Sequence, residues 1–385
     1  MAESPSKVLR FTKITLENWR NFSKVEIDLK KRAIFVGPNA SGKSNLLDAF
    51  RFLKDIVAVG GGFQEAVRNR GGVSSIRCLS ARRQSSILVK VRIGDDTEND
   101  LWEYEIKFKQ DKQKRPILER EVVKFKGEVR LERPVKEDKQ DIERLTQTFL
   151  EQVNTNIDFR DIVSFLLRVR YIHIVPQLIK EPDRSVGKVN DPYGGDFLEQ
   201  IAKTHQKILD ARLKKIKDAL KVAVPQLVEL ELIRDNRGVP HLRGRFVHWR
   251  AGGNLQTEEN FSDGTLRLLG LLWAIFDGTG PLLLEEPELS LHSEIVRMIP
   301  QVFARIQNKS GKQVLISTHS TDLLTDRGIG LDELFILEPR GEGTSVRPAS
   351  GIEGIRQLII GGINLADVVI PHTSPKDLSQ LILFD

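Results

Sequence analysis

Cysteine is nearly absent: Cys78 is the only one in 385 residues. One thiol can build neither an intrachain disulfide framework nor a thiolate zinc site, and a reducing cytoplasm suits such a chain. Also missing is any apolar run approaching the ~18 residues that a membrane span requires. The longest greasy stretch, Leu266 to Phe276, is short and is punctuated by Arg267. Met1 to Lys7 lacks the apolar core of a signal peptide, so no membrane role is expected. Repeats and low-complexity tracts are absent, and so are long heptad runs, which excludes a tethering rod.

What is present is ordinary for a globular protein. Apolar residues make up 40% and charged residues 29%, and the length allows one large or two modest domains with a proper core. The net charge of +6 is compatible with phosphate-bearing partners, small or polymeric, without choosing between them.

Leu9 to Val36 alternates apolar and polar residues as antiparallel strands do, ending in the continuous run Ala33 to Val36. Asn45 to Val57 carries apolar residues at helical spacing. Glycine clusters at 60–62 and 71–72 mark a connection, and Ile87 to Val129 reads as a β region with charged tips. Residues 139–168 look helical, Val169 to Val175 looks like a strand, and Phe197 to Val224 reads as one amphipathic helix with Ile201, Ile208, Leu209, Leu213, Ile216 and Leu220 inward. Strands are expected at Leu227–Ile233 and Leu242–Trp249. The last third alternates strand and helix, the pattern of parallel βαβ units. The fold class is α/β.

Between the buried strand at Ala33–Val36 and the following helix stands Gly37-Pro38-Asn39-Ala40-Ser41-Gly42-Lys43-Ser44, then Asn45. This is a complete P-loop pattern in the context that makes it informative. Its glycines let successive backbone N–H groups point into one concavity, and the helix adds its positive end. Lys43 is expected to bridge the β- and γ-phosphates of ATP, and the Ser44 hydroxyl to ligate Mg²⁺.

Three later segments narrow the type of nucleotide enzyme. Pro281 to Pro287 is an apolar strand delivering Glu285 and Glu286 at its C-terminal end, where open parallel sheets bind ligands. Glu285 is assigned to the metal side and Glu286 to the general base that polarises water; a strand ending in solvated acids is the bland alternative. Val314 to Ser320 is a buried strand ending in His319, either structural or a hydrogen-bonding partner of the γ-phosphate. Phe261-Ser262-Asp263-Gly264-Thr265 precedes an apolar helix. It is a simple helix cap or, by the same dipole logic, an anion site.

In this order the motifs resemble those of the ABC ATPase class, and are most similar to its RecF/SMC-like branch, which includes the overcoming-lysogenisation-defect (OLD) ATPases. Ile14 to Phe22, Gly37 to Asn45, Ser262 to Thr265, Glu285 to His292 and Thr318-His319-Ser320 carry the likeness, over Leu9–Phe52 and Phe261–Leu324. The resemblance implies an ABC ATPase head: a P-loop parallel core sheet, an N-terminal antiparallel β subdomain and a helical/β insertion. It divides a single domain of residues 1–385 into a P-loop lobe (1–84), the insertion leading to a Q-loop (85–195), a lobe of signature helix, Walker B strand and histidine (196–350), and a tail (351–385). It further implies that Ser262, Asp263 and Gly264 bind the nucleotide held by a second copy, so that a homodimer, or a higher-order assembly of it, encloses ATP. Residues 287–292 would form the D-loop. Gln177 is the candidate Q-loop ligand of Mg²⁺, with Gln64 its competitor.

One departure matters. An acidic cluster of the TOPRIM nuclease type is missing after Leu324, where Asp367 and Asp377 stand apart. An effector is therefore expected to be encoded separately, a TOPRIM-like nuclease being the leading choice, in anti-phage defence. The alternative is a RecF-like ATPase that binds DNA through the basic face of 203–221. A transporter subunit is the third class, disfavoured because the signature lacks its usual Gly-Gly-Gln ending.

Overall fold

The computed structural model describes residues 8–80, 85–181, 191, 193–248 and 254–373. Trp249 and Asp377 therefore lie outside the described residues. The chain divides into two compact units. Unit 1 takes residues 1–170, 279–283 and 300–385; unit 2 takes 171–278 and 284–299. Each unit is thus discontinuous in sequence.

Unit 1 opens with β1 (Arg10–Trp19), β2 (Phe22–Asp28) and β3 (Arg32–Val36), followed by α1 (Lys43–Val57), α2 (Phe63–Arg68) and α3 (Val73–Ile76). The insertion adds β4 (Ile87–Gly94), β5 (Trp102–Gln110), β6 (Pro116–Phe125) and β7 (Glu128–Arg133), then α4 (Lys136–Gln140) and α5 (Arg160–Leu167). The sheet ordered β2-β1-β4-β5-β6-β7 is antiparallel throughout. Its alternation is visible in register: Leu16 faces Val25 on one side and Val89 on the other. Phe11 stacks against Phe50 of α1 and Phe165 of α5, with ring centroids 4.7 and 4.8 Å apart. Leu46, Leu47, Phe50 and Leu53 of α1 are fully buried, each such side chain contributing about 1.5–3 kcal/mol.

The chain crosses between units within β8 (Arg170–Ile172). Unit 2 contains α6 (Pro176–Lys180), α7 (Phe197–Ala202), α8 (Gln206–Leu220), the antiparallel sheet of β9 (Leu227–Arg234), β10 (Pro240–Phe246) and β11 (Asn254–Thr257), and α9 (Asp263–Phe276). Its core gathers Ile179, Phe197, Leu213, Leu220, Leu242 and Leu269.

The chain passes back through β12 (Leu282–Glu285) and α10 (Ser293–Ser310), both shared across the boundary, into β13 (Val314–Thr318), β14 (Leu334–Arg340) and β15 (Gly343–Pro348), and then α11 (Ile355–Ile360) and α12 (Leu365–Thr373). The second six-stranded sheet runs β15-β14-β3-β13-β12-β8. In it β3 is parallel to β13 and β14, and β15 is an antiparallel edge. Within unit 1, Gln313 staples the two sheets. Its amide accepts from Phe11 N–H at 2.9 Å and donates to the carbonyls of Phe11 and Lys30 at 2.7 and 2.8 Å. The α/β class, with a parallel core sheet and an antiparallel N-terminal one, is what the sequence led us to expect. Among the described residues no helix is long and apolar enough to cross a membrane.

Two local expectations are corrected. The helix expected over Phe197 to Val224 is two helices, broken at Lys203–His205. The break turns Ile208 outward, and it is 48% exposed. The helical stretch expected over 139–168 is mostly irregular, with α4, 3₁₀ turns at Ile142–Thr146 and Ile157–Phe159, and α5. There, buried ions take over the role of helix hydrogen bonds. Arg133 donates to the carbonyls of Arg144 and Gln147, both at 2.8 Å, and Glu121 accepts from the N–H groups of Phe149 and Leu150. Arg133, Glu121 and Asp138 form ion pairs with no exposed side-chain surface. Their lone pairs and protons are spoken for, as burial of charge demands. Burial raises the Glu121 carboxyl, while against the same pull the Arg133 hydrogen bond lowers Asp138 to about 2.

Candidate functional site

The P-loop follows β3, whose five residues are all buried. Its turn needs unusual backbone: Ala40 has φ 61° and Gly42 has φ 95°, the left-handed region that disfavours a Cβ. A Cβ at Gly37 would lie 2.6 Å from the Leu337 carbonyl oxygen and 2.7 Å from Ser41 Oγ. One at Gly42 would press on Asn21 and Phe22 at 3.1 Å. The loop is braced from β1 and the turn after it. Asn21 donates to Ala40 O at 3.2 Å and accepts from the Asn45 amide, and Trp19 Nε1 donates to Asn45 O at 2.8 Å.

Lys43 is 5% exposed. Its ammonium donates to the carbonyls of Gly37 and Pro38 at 3.0 and 3.1 Å and lies 3.4 Å from His319 Nδ1. Unit 1 therefore brings His319, from the end of β13, to the P-loop lysine. Ser44 is exposed in the first turn of α1, whose cap Gly42 supplies no side-chain acceptor. The phosphate-bearing ligand that such a loop implies fits the residues present. Ser41 Oγ is fully buried and finds no hydrogen-bond partner among the described residues, and the glycines keep the concavity clear of side chains. Beside the loop a cavity of about 410 Å³ is lined by Asn21, Ala40, Asn45, Arg77 and Arg340.

In unit 2, β12 ends in Glu285, and Glu286 follows with φ 44°, an uncommon conformation for a side-chain-bearing residue. The Tyr171 hydroxyl donates to Glu285 Oε2, and His173 Nδ1 lies 3.3 Å from the Glu285 carbonyl oxygen. Reading the strand as period two places Tyr171 and His173 on one side of it, but neither was singled out in the sequence. Ser262 caps α9: its Oγ accepts from Thr265 N–H at 3.2 Å. Gly264 is required by close approach, since a Cβ there would lie 2.5 Å from the Ser290 carbonyl oxygen.

Asp263 is held by residues of α6. Lys180 Nζ donates to it at 2.8 Å and Gln177 Nε2 at 3.2 Å, and the lysine holds its carboxyl below the usual range. Gln177 thus lies beside the signature segment, with an exposed side chain. Gln64 is committed elsewhere in unit 1, donating to the carbonyls of Pro116 and Thr146 at 2.9 and 2.7 Å. Lys180 had no signal in the sequence beyond its proximity to Gln177. Arg267, one turn along α9, is lowered by burial against the opposing charges of Asp263, Glu286 and Glu288.

The family model described as "AAA domain, putative AbiEii toxin, Type IV TA system" matches residues 32–326. A 47-residue stretch is 47% identical to Endonuclease GajA of Bacillus cereus (strain VD045). That stretch is 12% of this chain and 8% of that protein, so the chain covers under a tenth of that relative. Among solved structures, the Smc head domain with a coiled coil and joint from Pyrococcus yayanosii aligns with a TM-score of 0.52 at 12% identity, over 92% of this chain and 99% of that one. The SmcHead bound to the C-winged helix domain of ScpA aligns at 0.50 and 15% identity, over 88% and 96%. At these identities the likeness is one of fold: the chain has the α/β fold of SMC head ATPase domains.

Proposed function

The chain belongs to this AAA-domain family of P-loop ATPases, and from that premise we propose that it hydrolyses ATP between two copies of itself. In this reading it is a switch for a separately encoded effector in bacterial anti-phage defence. The observation that carries the chemistry is the P-loop of unit 1, with Lys43 buried in it and His319 Nδ1 3.4 Å away. Backbone N–H groups and the lysine cradle the β- and γ-phosphates. In this reading the Ser44 hydroxyl, Glu285 and Gln177 would ligate Mg²⁺, which when bound offsets charge on the phosphate oxygens.

Glu286 accepts a proton from water as the water oxygen bonds to the γ-phosphorus. The bond from that phosphorus to the β,γ-bridging oxygen breaks, and ADP leaves with the electron pair. Lys43 and His319 stabilise the charge gathering on the transferred group. The nucleoside lies in the 410 Å³ cavity lined by Asn21, Asn45, Arg77 and Arg340. Ser262 and the first-turn N–H groups of α9 cap the γ-phosphate held by the second copy. ATP then favours the closed dimer and hydrolysis reopens it. The effector is a nuclease in this reading, in keeping with a relative named as an endonuclease.

Replacing Glu286 with Gln tests the chemistry. ATP still binds, turnover falls by about 10²–10³-fold, and size-exclusion chromatography with ATP shows a trapped dimer. Unchanged turnover would remove Glu286 from the mechanism; an ATP-bound monomer would remove the second copy.

DNA is the alternative client. Lys207 and Lys214 of α8 and Lys221 at its C-cap repeat at seven-residue spacing, are exposed, and carry no ion pair among the described residues. Arg212, by contrast, is engaged by Asp277 and stacks on Trp273. DNA-stimulated turnover that weakens steeply with salt favours this reading; turnover indifferent to DNA eliminates it.

A further inference from the structure

The signature segment has an electrostatic problem. Asp263 occupies the first position of α9, directly after its cap Ser262. A carboxylate there suits the helix dipole. It also puts a negative charge at the end where a triphosphate would have to dock. Lys180 answers that charge at 2.8 Å, and Gln177 adds a hydrogen bond at 3.2 Å.

The arm bearing these two residues is fixed to α9 by packing. Ile179 is 1% exposed in the core of unit 2. Ile174 is lodged so closely against Gly270 of α9 that a Cβ there would lie 2.8 Å from its Cδ1. The N–H of Val175 is held by the Tyr193 carbonyl at 3.0 Å. Lys180 therefore reaches Asp263 from a set point and not from a wandering loop. Arg267 is attracted by Asp263, Glu286 and Glu288 alike, and among the described residues Lys180 is the cation in hydrogen-bond contact with Asp263.

We propose that Lys180 is a positioning residue of the signature end. It neutralises Asp263 and clamps α6 to α9, so that Ser262 and the first-turn N–H groups receive phosphate oxygens in place of repelling them. This rests on the dimer reading above. It adds to that reading a coupling: the element that carries Gln177 also sets the electrostatics of the surface offered to a second copy.

The test is a charge cycle read in two ways. In Lys180→Gln, a fluorescent ATP analogue still binds within about twofold of the parent, while turnover at saturating ATP and low salt falls about tenfold through like-charge repulsion. Added salt shrinks the defect, because exposed charges are screened. Adding Asp263→Asn to Lys180→Gln raises turnover at least about fivefold over the single variant, as coupled charges require. Lys180→Arg, which keeps the charge, stays within about threefold of the parent.

A merely structural lysine gives no rescue by the second substitution and no salt dependence, and that result overturns the proposal. So does a Lys180→Gln protein that turns over like the parent. Loss of a cooperative melt in Lys180→Gln with no recovery in the double variant likewise counts against it. A parent chain that binds no nucleotide would instead bring down the ATPase reading, an outcome visible before any variant is made.

Discussion

The P-loop and the signature end of α9 both stand at helix N-termini, yet they are built from different materials. The P-loop is made of backbone. Gly37 has no room for a Cβ beside the Leu337 carbonyl and Gly42 would carry one only under strain, Lys43 is 5% exposed, and the loop is braced by Asn21 and Trp19. The signature end is held by side chains that solvent reaches: Asp263 and Lys180 are 38% and 26% exposed. A backbone cradle has one shape and cannot be retuned by salt or by a single charge. A site held by exposed ions can. The P-loop end is thus fixed by its backbone, and the α9 end is adjustable; under the proposal above, these are the halves facing the chain's own nucleotide and the second copy's.

The comparison can be broken in order of expected effect. Gly42→Ala forces a Cβ into the left-handed region against Asn21 and Phe22. Strain of this kind is about 1–3 kcal/mol, so nucleotide affinity, measured by titration calorimetry, is expected to fall by about ten- to a hundredfold. Gly264→Ala puts a Cβ 2.5 Å from Ser290 O and shifts α9 against the turn at 286–291. Here affinity for the first nucleotide is expected to stay within about twofold while turnover drops by about tenfold, the scale of a small overpacking penalty. Should Gly264→Ala weaken nucleotide binding as much as Gly42→Ala does, the division into a fixed half and an adjustable half fails.

The sequence is most readable where backbone chemistry leaves no choice. Gly37 has no room for a Cβ and Gly42 would carry one only under strain, so the P-loop declares itself by pattern. Period two in β1 and β4 likewise shows through, because one face of each strand is buried. The break between α7 and α8 was hidden for a physical reason. Ile201, Leu209, Leu213 and Leu220 keep helical spacing across it, and the interruption depends on Lys203–His205, which carry no glycine or proline to announce it. The insertion misled for another reason. In residues 144–150 the backbone partners are the side chains of Arg133 and Glu121, and periodicity carries no record of a partner so far along the chain. Lys180 and Tyr171 were missed because their roles exist only once α6 meets α9 and β8 reaches Glu285.

The placement of β3 has a consequence for how the protein is made. Its neighbours in the sheet are β13 and β14: Arg32 pairs with Val314, and Leu334 with Ile34. The Leu337 carbonyl that walls the P-loop comes later still. On the ribosome the apolar core of this strand emerges roughly 280 residues ahead of its partner β13 and waits while they are added at about 5–20 residues per second. The P-loop is thus synthesised well before the strands that complete its surroundings. A nascent chain interrupted before residue 337 carries the whole motif without the wall that shapes it.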